Sequence, residues 1–367
     1  MKKPLEQITI KGYKSIRELE NFPLAPLNVL IGANGSGKTN FISAFKLLNQ
    51  IVEENLQVFV SQQGGANTLL HFGQKTTEEI VLDLQFGSNG YNCTLVPAAG
   101  DTLVFASEQV WFHDKAKYPR PYVETLGGGQ RETRLLEVSH FSKHTTIANY
   151  VLQAIRSWRV YHFHDTSAGA KVKQRGDIND NEVLRADASN LAAFLYLLRE
   201  TQETHYRQIV ATIRMVAPFF DDFRLRPDPH NRDKIQLEWR EVGSDAYFNA
   251  HVLSDGTLRF MCLATLLLQP NLPSTILIDE PELGLHPYAI TVLASLLRSA
   301  SKDTQVIVST QSVPLVNQFN PEDIIVVDRR DNQSTFTRLG EKDLAGWLDD
   351  YGMGDLWEKN LLGGRPA

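Results

Sequence analysis

Eight residues near the amino terminus, Gly32-Ala33-Asn34-Gly35-Ser36-Gly37-Lys38-Thr39, have the types and spacing that hold a polyphosphate. The glycines let successive backbone N–H groups point inward around an anion, and a helix starting there adds the positive end of its dipole. In such a loop the Lys38 ammonium neutralises the outer phosphates of a nucleoside triphosphate, and the Thr39 hydroxyl ligates Mg²⁺. Asn34, Gly35, Ser36, Gly37, Lys38, Thr39 and Asn40 are therefore the candidate nucleotide-binding residues. A second group, Asp279-Glu280-Pro281-Glu282, closes an apolar run. Asp279 is placed to share the Mg²⁺ with Thr39, and Glu280 to take a proton from an attacking water. A third group, Leu253-Ser254-Asp255-Gly256-Thr257, opens an apolar helix. Ser254 is a natural N-cap and Gly256 leaves the backbone bare, which makes a second anion site. In one chain that site is expected to lie too far from Lys38, so it implies a second copy of the protein.

The flanking elements fit these roles. Residues 27–31 read as a buried strand before the glycine loop, and Phe41, Ile42, Phe45 and Leu48 have helical spacing after it. Residues 8–16 alternate as a strand, and the helix after the loop is expected to reach about residue 56. Residues 61–73 read as a loop, and 80–86, 91–96 and 102–111 as an antiparallel meander. The stretch 114–142, polar with Pro119, Pro121 and Gly127-Gly128-Gly129, reads as an insertion or lid. Helices are expected at 147–158, at 189–199 with Ser189 as N-cap, and at 204–216, with a hairpin joining 223–225 to 235–239. The last third alternates helix 256–268, strand 275–278, helix 287–299, strand 305–308 and strand 323–327, the rhythm of a mostly parallel sheet. The expected organisation is an N-terminal lobe (1–113), an inserted lid or helical region (114–250) and a C-terminal lobe (251–367). The fold class is α/β: a mixed sheet with an antiparallel β subdomain.

Composition removes several alternatives. The 367 residues are 42% hydrophobic and carry a formal charge of −6, so the chain is no general polycation for nucleic acid. Two cysteines, Cys93 and Cys262, argue against a disulfide framework or a cysteine-based zinc site. No signal-peptide core is present, and the longest apolar run, 260–268, is too short to span a bilayer. A cytoplasmic protein without a membrane role is expected.

The order Gly32-Ala33-Asn34-Gly35-Ser36-Gly37-Lys38-Thr39, Leu253-Ser254-Asp255-Gly256-Thr257 and Ile276-Leu277-Ile278-Asp279-Glu280-Pro281-Glu282, with Gly284-Leu285-His286-Pro287 after it, resembles the ABC-type ATPases. More narrowly it resembles the RecF/SMC branch and the neighbouring OLD-like (AAA-type) bacterial ATPases. Gly12-Tyr13-Lys14-Ser15 is similar to the G-F-K-S opening of SMC heads, which adds Lys14 to the candidate nucleotide contacts. The likeness covers about 5–56 and 250–340, and the tail (Trp347 to Tyr351, Trp357 to Asn360, Gly363 to Pro366) resembles that of short bacterial members. It implies a head-to-tail homodimer, or a higher oligomer, sandwiching two ATPs. One subunit supplies Lys38, Thr39, Asp279 and Glu280, and the other Ser254 and Gly256. Asp255 and Thr257 stand where transporters have Gly and Gln, which points away from a transporter. Gln311 stands where many relatives carry a switch histidine and cannot carry a proton charge, so slow ATP hydrolysis is expected. There is no long heptad block, and the chain after residue 327 is short for a Toprim nuclease. Two functions follow from the resemblance: an ATPase of DNA maintenance or anti-phage defence, or an ATP-gated scaffold that holds and releases a neighbour-encoded effector without touching DNA.

Weaker signals remain open. His162, His164 and Asp165, with His140 and His144, either ligate a metal or hydrogen-bond locally, the second being favoured. Glu282 and His286 have either a coupling or a structural role. Gln74 either senses Mg²⁺ or, as favoured, sits in a solvated turn. Lys171, Lys173, Arg175, Arg224 and Arg226 either follow a DNA backbone or form a solvated face.

Overall fold

Burial runs along the strands in two patterns, and the patterns separate two sheets. In a computed structural model, which describes residues 4–141, 147–340 and 351–364, Ile80–Phe86 alternates buried and half-buried residues, whereas Leu27–Ile31 and Gln305–Thr310 are buried throughout. Alternation marks a sheet with one covered face, and continuous burial marks a sheet covered on both.

The chain begins with a hairpin, β1 (Gln7–Tyr13) and β2 (Ile16–Pro23), then β3 (Leu27–Ile31), α1 (Lys38–Val52), α2 (Leu56–Gln62) and α3 (Ala66–Leu69). The meander follows as β4 (Ile80–Phe86), β5 (Asn89–Ala98), β6 (Thr102–Phe112) and β7 (Tyr122–Gly127). Next come α4 (Leu135–Phe141), α5 (Ile147–Arg156), β8 (Trp158–Tyr161) and β9 (Gly176–Asp177). Then come α6 (Leu191–Thr201), α7 (Glu203–Val216), β10 (Phe220–Phe223), β11 (Lys234–Ile235), β12 (Glu238–Glu241) and β13 (Tyr247–Asn249). The α/β rhythm closes the chain: α8 (Asp255–Leu268), β14 (Thr275–Asp279), α9 (Pro287–Ala300), β15 (Gln305–Thr310), α10 (Val313–Val316), β16 (Ile324–Arg330), β17 (Gln333–Arg338) and α11 (Met353–Glu358).

The antiparallel sheet has the order β2-β1-β4-β5-β6-β7. The second sheet has the order β17-β16-β3-β15-β14-β8, parallel except for β17, so it is mixed as expected. Its alternate residues feed two cores. Leu27, Val29, Ile31, Ile276, Ile278, Val306 and Val308 pack with α6 to α9, while Leu30, Leu277 and Ile307 pack with α1 and the antiparallel sheet.

The stretch expected as a lid behaves differently. β7 joins the meander, and the polar run behind it satisfies a buried carboxylate, Glu108. That carboxylate accepts from Tyr91 Oη at 2.9 Å, Gln130 Nε2 at 3.0 Å and the Arg134 amide at 3.0 Å. Farther along, β8 is the edge strand of the mixed sheet. Residues 61–73, expected as a loop, include α3, and α1 ends at Val52 rather than near residue 56. Ser189 does not cap α6: Asn190 occupies that place, and its side chain instead binds the Arg185 amide and the carbonyls of Asp180 and Val183. The expected hairpin forms: Phe223 faces Trp239 and Pro227 bridges Ile235, which on its other side pairs with Gly176.

Trp158 joins three layers, with its ring 5.1 Å from Phe45 on α1 and 5.9 Å from Phe86 on β4. Trp158→Ala should destabilise the fold by about 3–5 kcal/mol. Chemical denaturation checks this, and a loss below about 1 kcal/mol would show that the layers do not depend on that ring.

Candidate nucleotide site

Strand order assembles the site. β15 lies between β3 and β14, with Ile31 opposite Thr310 and Asp279 opposite Ser309. The glycine loop after β3, the carboxylates after β14 and Gln311 after β15 therefore emerge at one carboxyl edge, where open α/β sheets place ligands.

Within the glycine loop the Lys38 ammonium donates to the carbonyls of Gly32 at 2.7 Å and Ala33 at 3.0 Å. Burial pushes its pKa down, and Glu280, Asp279 and Glu282 partly restore it. Thr39 Oγ1 lies 3.4 Å from Asp279 Oδ2, and Ser309 Oγ donates to the other oxygen, Oδ1. Thr39 and Asp279 thus sit as two oxygen donors side by side. Asn40 Nδ2 donates to Ser15 Oγ at 2.7 Å, and Ser334 Oγ on β17 donates to the Ser36 carbonyl at 2.5 Å and is hydrogen-bonded to Ser15 Oγ at 2.7 Å. Ser36 Oγ is buried and has no hydrogen-bond partner among the described residues. A buried free hydroxyl in a glycine loop beside a buried lysine fits a polyphosphate, and Thr39 with Asp279 is a hard-oxygen pair that fits Mg²⁺.

Glu280 is held in the left-handed region at φ 44°, a conformation that costs a non-glycine residue about 1–3 kcal/mol. Its amide donates to the Ser309 carbonyl at 2.9 Å, and its carboxylate accepts from Gln311 Nε2. The structure therefore brings Glu280 and Gln311 together. Glu282 turns inward instead, where its Oε1 accepts from Thr310 Oγ1 and, at 3.3 Å, from the Gln311 amide. His286 caps α9, its Nδ1 accepting from the Tyr288 amide at 3.3 Å. Both therefore have local structural roles within this chain.

Ser254 caps α8, its hydroxyl accepting from the Thr257 amide at 3.2 Å. Gly256 lies against the loop after β14, where a Cβ on it would stand 2.2 Å from the Gly284 carbonyl oxygen. Among the described residues no hydrogen bond or ion pair joins Ser254 or Gly256 to the glycine loop. Lys14 runs along α1, donating to Ser43 Oγ at 2.9 Å and Gln63 Oε1 at 3.0 Å, and burial followed by the Lys46 charge lowers its pKa. Gln74 reaches Asp101 Oδ1 at 3.0 Å.

Residues that sequence reasoning missed, or assigned otherwise, surround Asp279. His164 Nε2 bonds the Asp279 carbonyl at 2.9 Å. Arg259, buried on α8, donates to the carbonyls of Phe163 at 2.9 Å and His164 at 3.2 Å. Burial pushes the His162 pKa down to about 4, with the Lys46 charge adding to it. Among the described residues no three acids, histidines or cysteines cluster for a metal; His144 and the His140 side chain fall outside them, as do tail residues 347–350 and 365–366. The basic residues of the middle region are largely paired: Lys171 with Asp187, Lys173 with Asp255, Arg175 with Asp228 and Arg226 with Glu238, while Arg224 stacks 3.6 Å from Tyr247. Both cysteines are free and buried, and no described helix is long and apolar enough to cross a membrane.

The chain has the fold of Smc head domains. An Smc head bound to the C-winged helix domain of ScpA superposes with a TM-score of 0.57 at 18% identity, covering 93% of this chain and 99% of that one. An Smc head with an extended coiled coil, bound to the C-terminal domain of ScpA from Pyrococcus furiosus, gives 0.54 at 17% identity, covering 95% and 99%. A third Smc head, from Pyrococcus yayanosii, gives 0.50 at 14%, covering 95% and 99%. Residues 27–317 match one family model, and the chain belongs to that family, described as "AAA domain, putative AbiEii toxin, Type IV TA system". No match is found among curated proteins.

Glu282 supplies a pH test of this geometry. Burial holds its carboxyl above the ordinary value of 4.5. Stability from the protonated form is fully present below the unfolded value and is lost as pH rises through the raised folded value. Between pH 4.5 and neutrality, Glu282→Gln should therefore lose less stability than the native chain. Thermal midpoints along a pH series check this; equal slopes would place the Glu282 charge in a solvated setting.

Proposed function

We propose that the protein is a Mg-ATP-dependent ATPase of the RecF/SMC-like kind, near the OLD-like ATPases. Two copies close head to tail on ATP, and the proposed role is DNA maintenance or defence against foreign DNA. The observation that carries the ATPase assignment is the convergence of Lys38, Thr39, Asp279, Glu280 and Gln311 at one sheet edge. Lys38 neutralises phosphate charge, and the loop amides with Asn34 to Asn40 hold the polyphosphate. Glu280 accepts the proton of the attacking water, with Gln311 fixing the carboxylate's direction. Mg²⁺, held by Thr39 and Asp279, would neutralise charge developing on the phosphates. Hydrolysis is slow in this reading because Gln311 contributes a neutral amide where a histidine would contribute a titratable ring.

A head-to-tail dimer draws support from the surface beside Gly256. Leu283 and Tyr288, in and just after the loop that touches it, are 49% and 50% exposed, and Val252 is 62% exposed. In the proposed dimer this rim carries Ser254 and Gly256 to the partner's ATP, so ATP adds its contacts only on closure.

The family description mentions a toxin–antitoxin system, which favours a second reading: an ATP-gated scaffold that holds a toxic effector and does not bind DNA. The pairing of most basic residues in the middle region agrees with it. A stoichiometric complex with a neighbour-encoded protein, indifferent to DNA, would select this reading; salt-dependent DNA binding strengthened by ATP would select the first.

Glu280→Gln should retain ATP binding, hydrolyse roughly two to four orders of magnitude more slowly, and accumulate as an ATP-bound dimer. Its solution mass with and without Mg-ATP is the measurement. A mass unmoved by ATP would discard ATP-driven closure. Lys38→Ala should lose ATP binding in an equilibrium titration, and unchanged affinity would remove Lys38 from the site.

A further inference from the structure

The C-terminal segment touches the nucleotide site from two sides. At one end α11 packs on α10, the short helix that follows Gln311. Met353, Leu356 and Trp357 are buried in one core with Leu315 and Val316, and the Gly354 amide donates to Asn317 Oδ1 at 2.6 Å. The fit leaves no room at Gly354, where a Cβ would stand 2.6 Å from the Val313 carbonyl oxygen. At the other end the chain turns back through Leu362, packed on the same core, to Gly364. The Gly364 carbonyl accepts from the Ala33 amide at 2.6 Å.

That contact falls on a particular peptide unit. The Ala33 N–H and the Gly32 carbonyl belong to the same planar group, so fixing the direction of one fixes the other. The Gly32 carbonyl is the oxygen that holds the Lys38 ammonium at 2.7 Å. A rotation of this peptide would turn the Gly32 oxygen away from Lys38 and change where its charge lies. Gly364 itself needs to be glycine. It sits at φ +77°, and a Cβ there would stand 3.0 Å from Val326 Cγ1 and 3.3 Å from the Val327 carbonyl oxygen.

We propose that residues 353–364 are a positioning element of the ATP site: the Gly364 carbonyl orients the Gly32–Ala33 peptide that aims Lys38, and α11 ties this setting to the loop carrying Gln311. The inference rests on the reading of Lys38 as the phosphate-binding cation. It assigns the tail to nucleotide binding, and not only to the hydrophobic core. The cavity of about 670 Å³ between Asn34, Gly35, Arg329, Arg330, Leu361 and Gly363 places the same tail beside the open side of the glycine loop.

The test compares the full chain, a chain ending at Asn360, and full-length Gly364→Val and Gly364→Asn. Each is titrated with a fluorescent ATP analogue displaced by Mg-ATP, assayed for KM and kcat, and melted without nucleotide. Losing one hydrogen bond to a charged centre's support weakens ATP binding roughly tenfold. The shortened chain and Gly364→Val should show that loss in Kd and KM, with nucleotide-free melting points close to the native one. Gly364→Asn, a residue type that tolerates positive φ, should fall between them and the native chain. Native affinity and turnover in both the shortened chain and Gly364→Val overturn the proposal. If the shortened chain melts early, Gly364→Val decides: a Kd change in step with its melting point overturns it, and a Kd change without one supports it. A full native chain that binds no ATP would instead sink the function proposed above, which separates the two failures.

Discussion

The Lys38 ammonium is the interaction on which the site depends. A buried cation is costly unless acceptors and opposite charges surround it, and here two loop carbonyls and three carboxylates do so. The same lysine relieves the carboxylates, which would repel one another at the end of β14. Neither group is easily left there alone, so the glycine loop and the acidic turn stabilise each other's position. Their meeting requires β15 to lie between β3 and β14, and its residues reach both ways. Ser309 holds Asp279, and Thr310 holds Glu282.

How much of this was legible in the sequence divides along the distance between partners. The glycine loop, its strand and its helix are encoded in one continuous stretch, Leu27 to Val52, and the turn after β14 is equally local; both are readable from pattern. The buried character of β3 and β15 also follows from their short apolar runs, Val29 to Ile31 and Val306 to Val308. Strand order did not follow, because nothing local in Gln305–Thr310 says which strands flank it. The placement of β8 was hidden for the same reason: Trp158–Tyr161 is a four-residue stretch after a helix, and only its pairing with β14 makes it part of the sheet. The polar stretch read as a lid was misjudged by composition. Its Gln130, Thr133 and Arg134 serve a buried Glu108, and buried acids draw polar neighbours that look like surface. Ser189 was a plausible cap by type, but Asn190 beside it satisfies three backbone groups of the preceding loop.

The histidines after β8 show a related limit. Alternate histidines with an aspartate have the spacing of a metal site, but local hydrogen bonding at a strand edge is the favoured reading. The structure gives His164 a place the spacing could not disclose, on the carbonyl of Asp279. That carbonyl belongs to the residue whose carboxylate faces Thr39, so His164 restrains the backbone from which the Asp279 carboxylate projects.

Through His164 the site is joined to α8. Arg259 is five residues after Ser254 on the same rigid helix, and its guanidinium grips the carbonyls of Phe163 and His164. Gly256, on the first turn of that helix, lies directly against Gly284 in the loop after the acidic turn. The Ser254 end of α8 is therefore held to the Asp279 region by two routes, one through the histidine and one by backbone contact. A force applied at Ser254 cannot move α8 without loading one of them, because Arg259 is buried and its charge needs those carbonyls. A partner engaging Ser254 would thus be felt at the acids of this chain's own site. In a closed dimer the same geometry, repeated by two-fold symmetry, would make each site sensitive to whether the other is occupied.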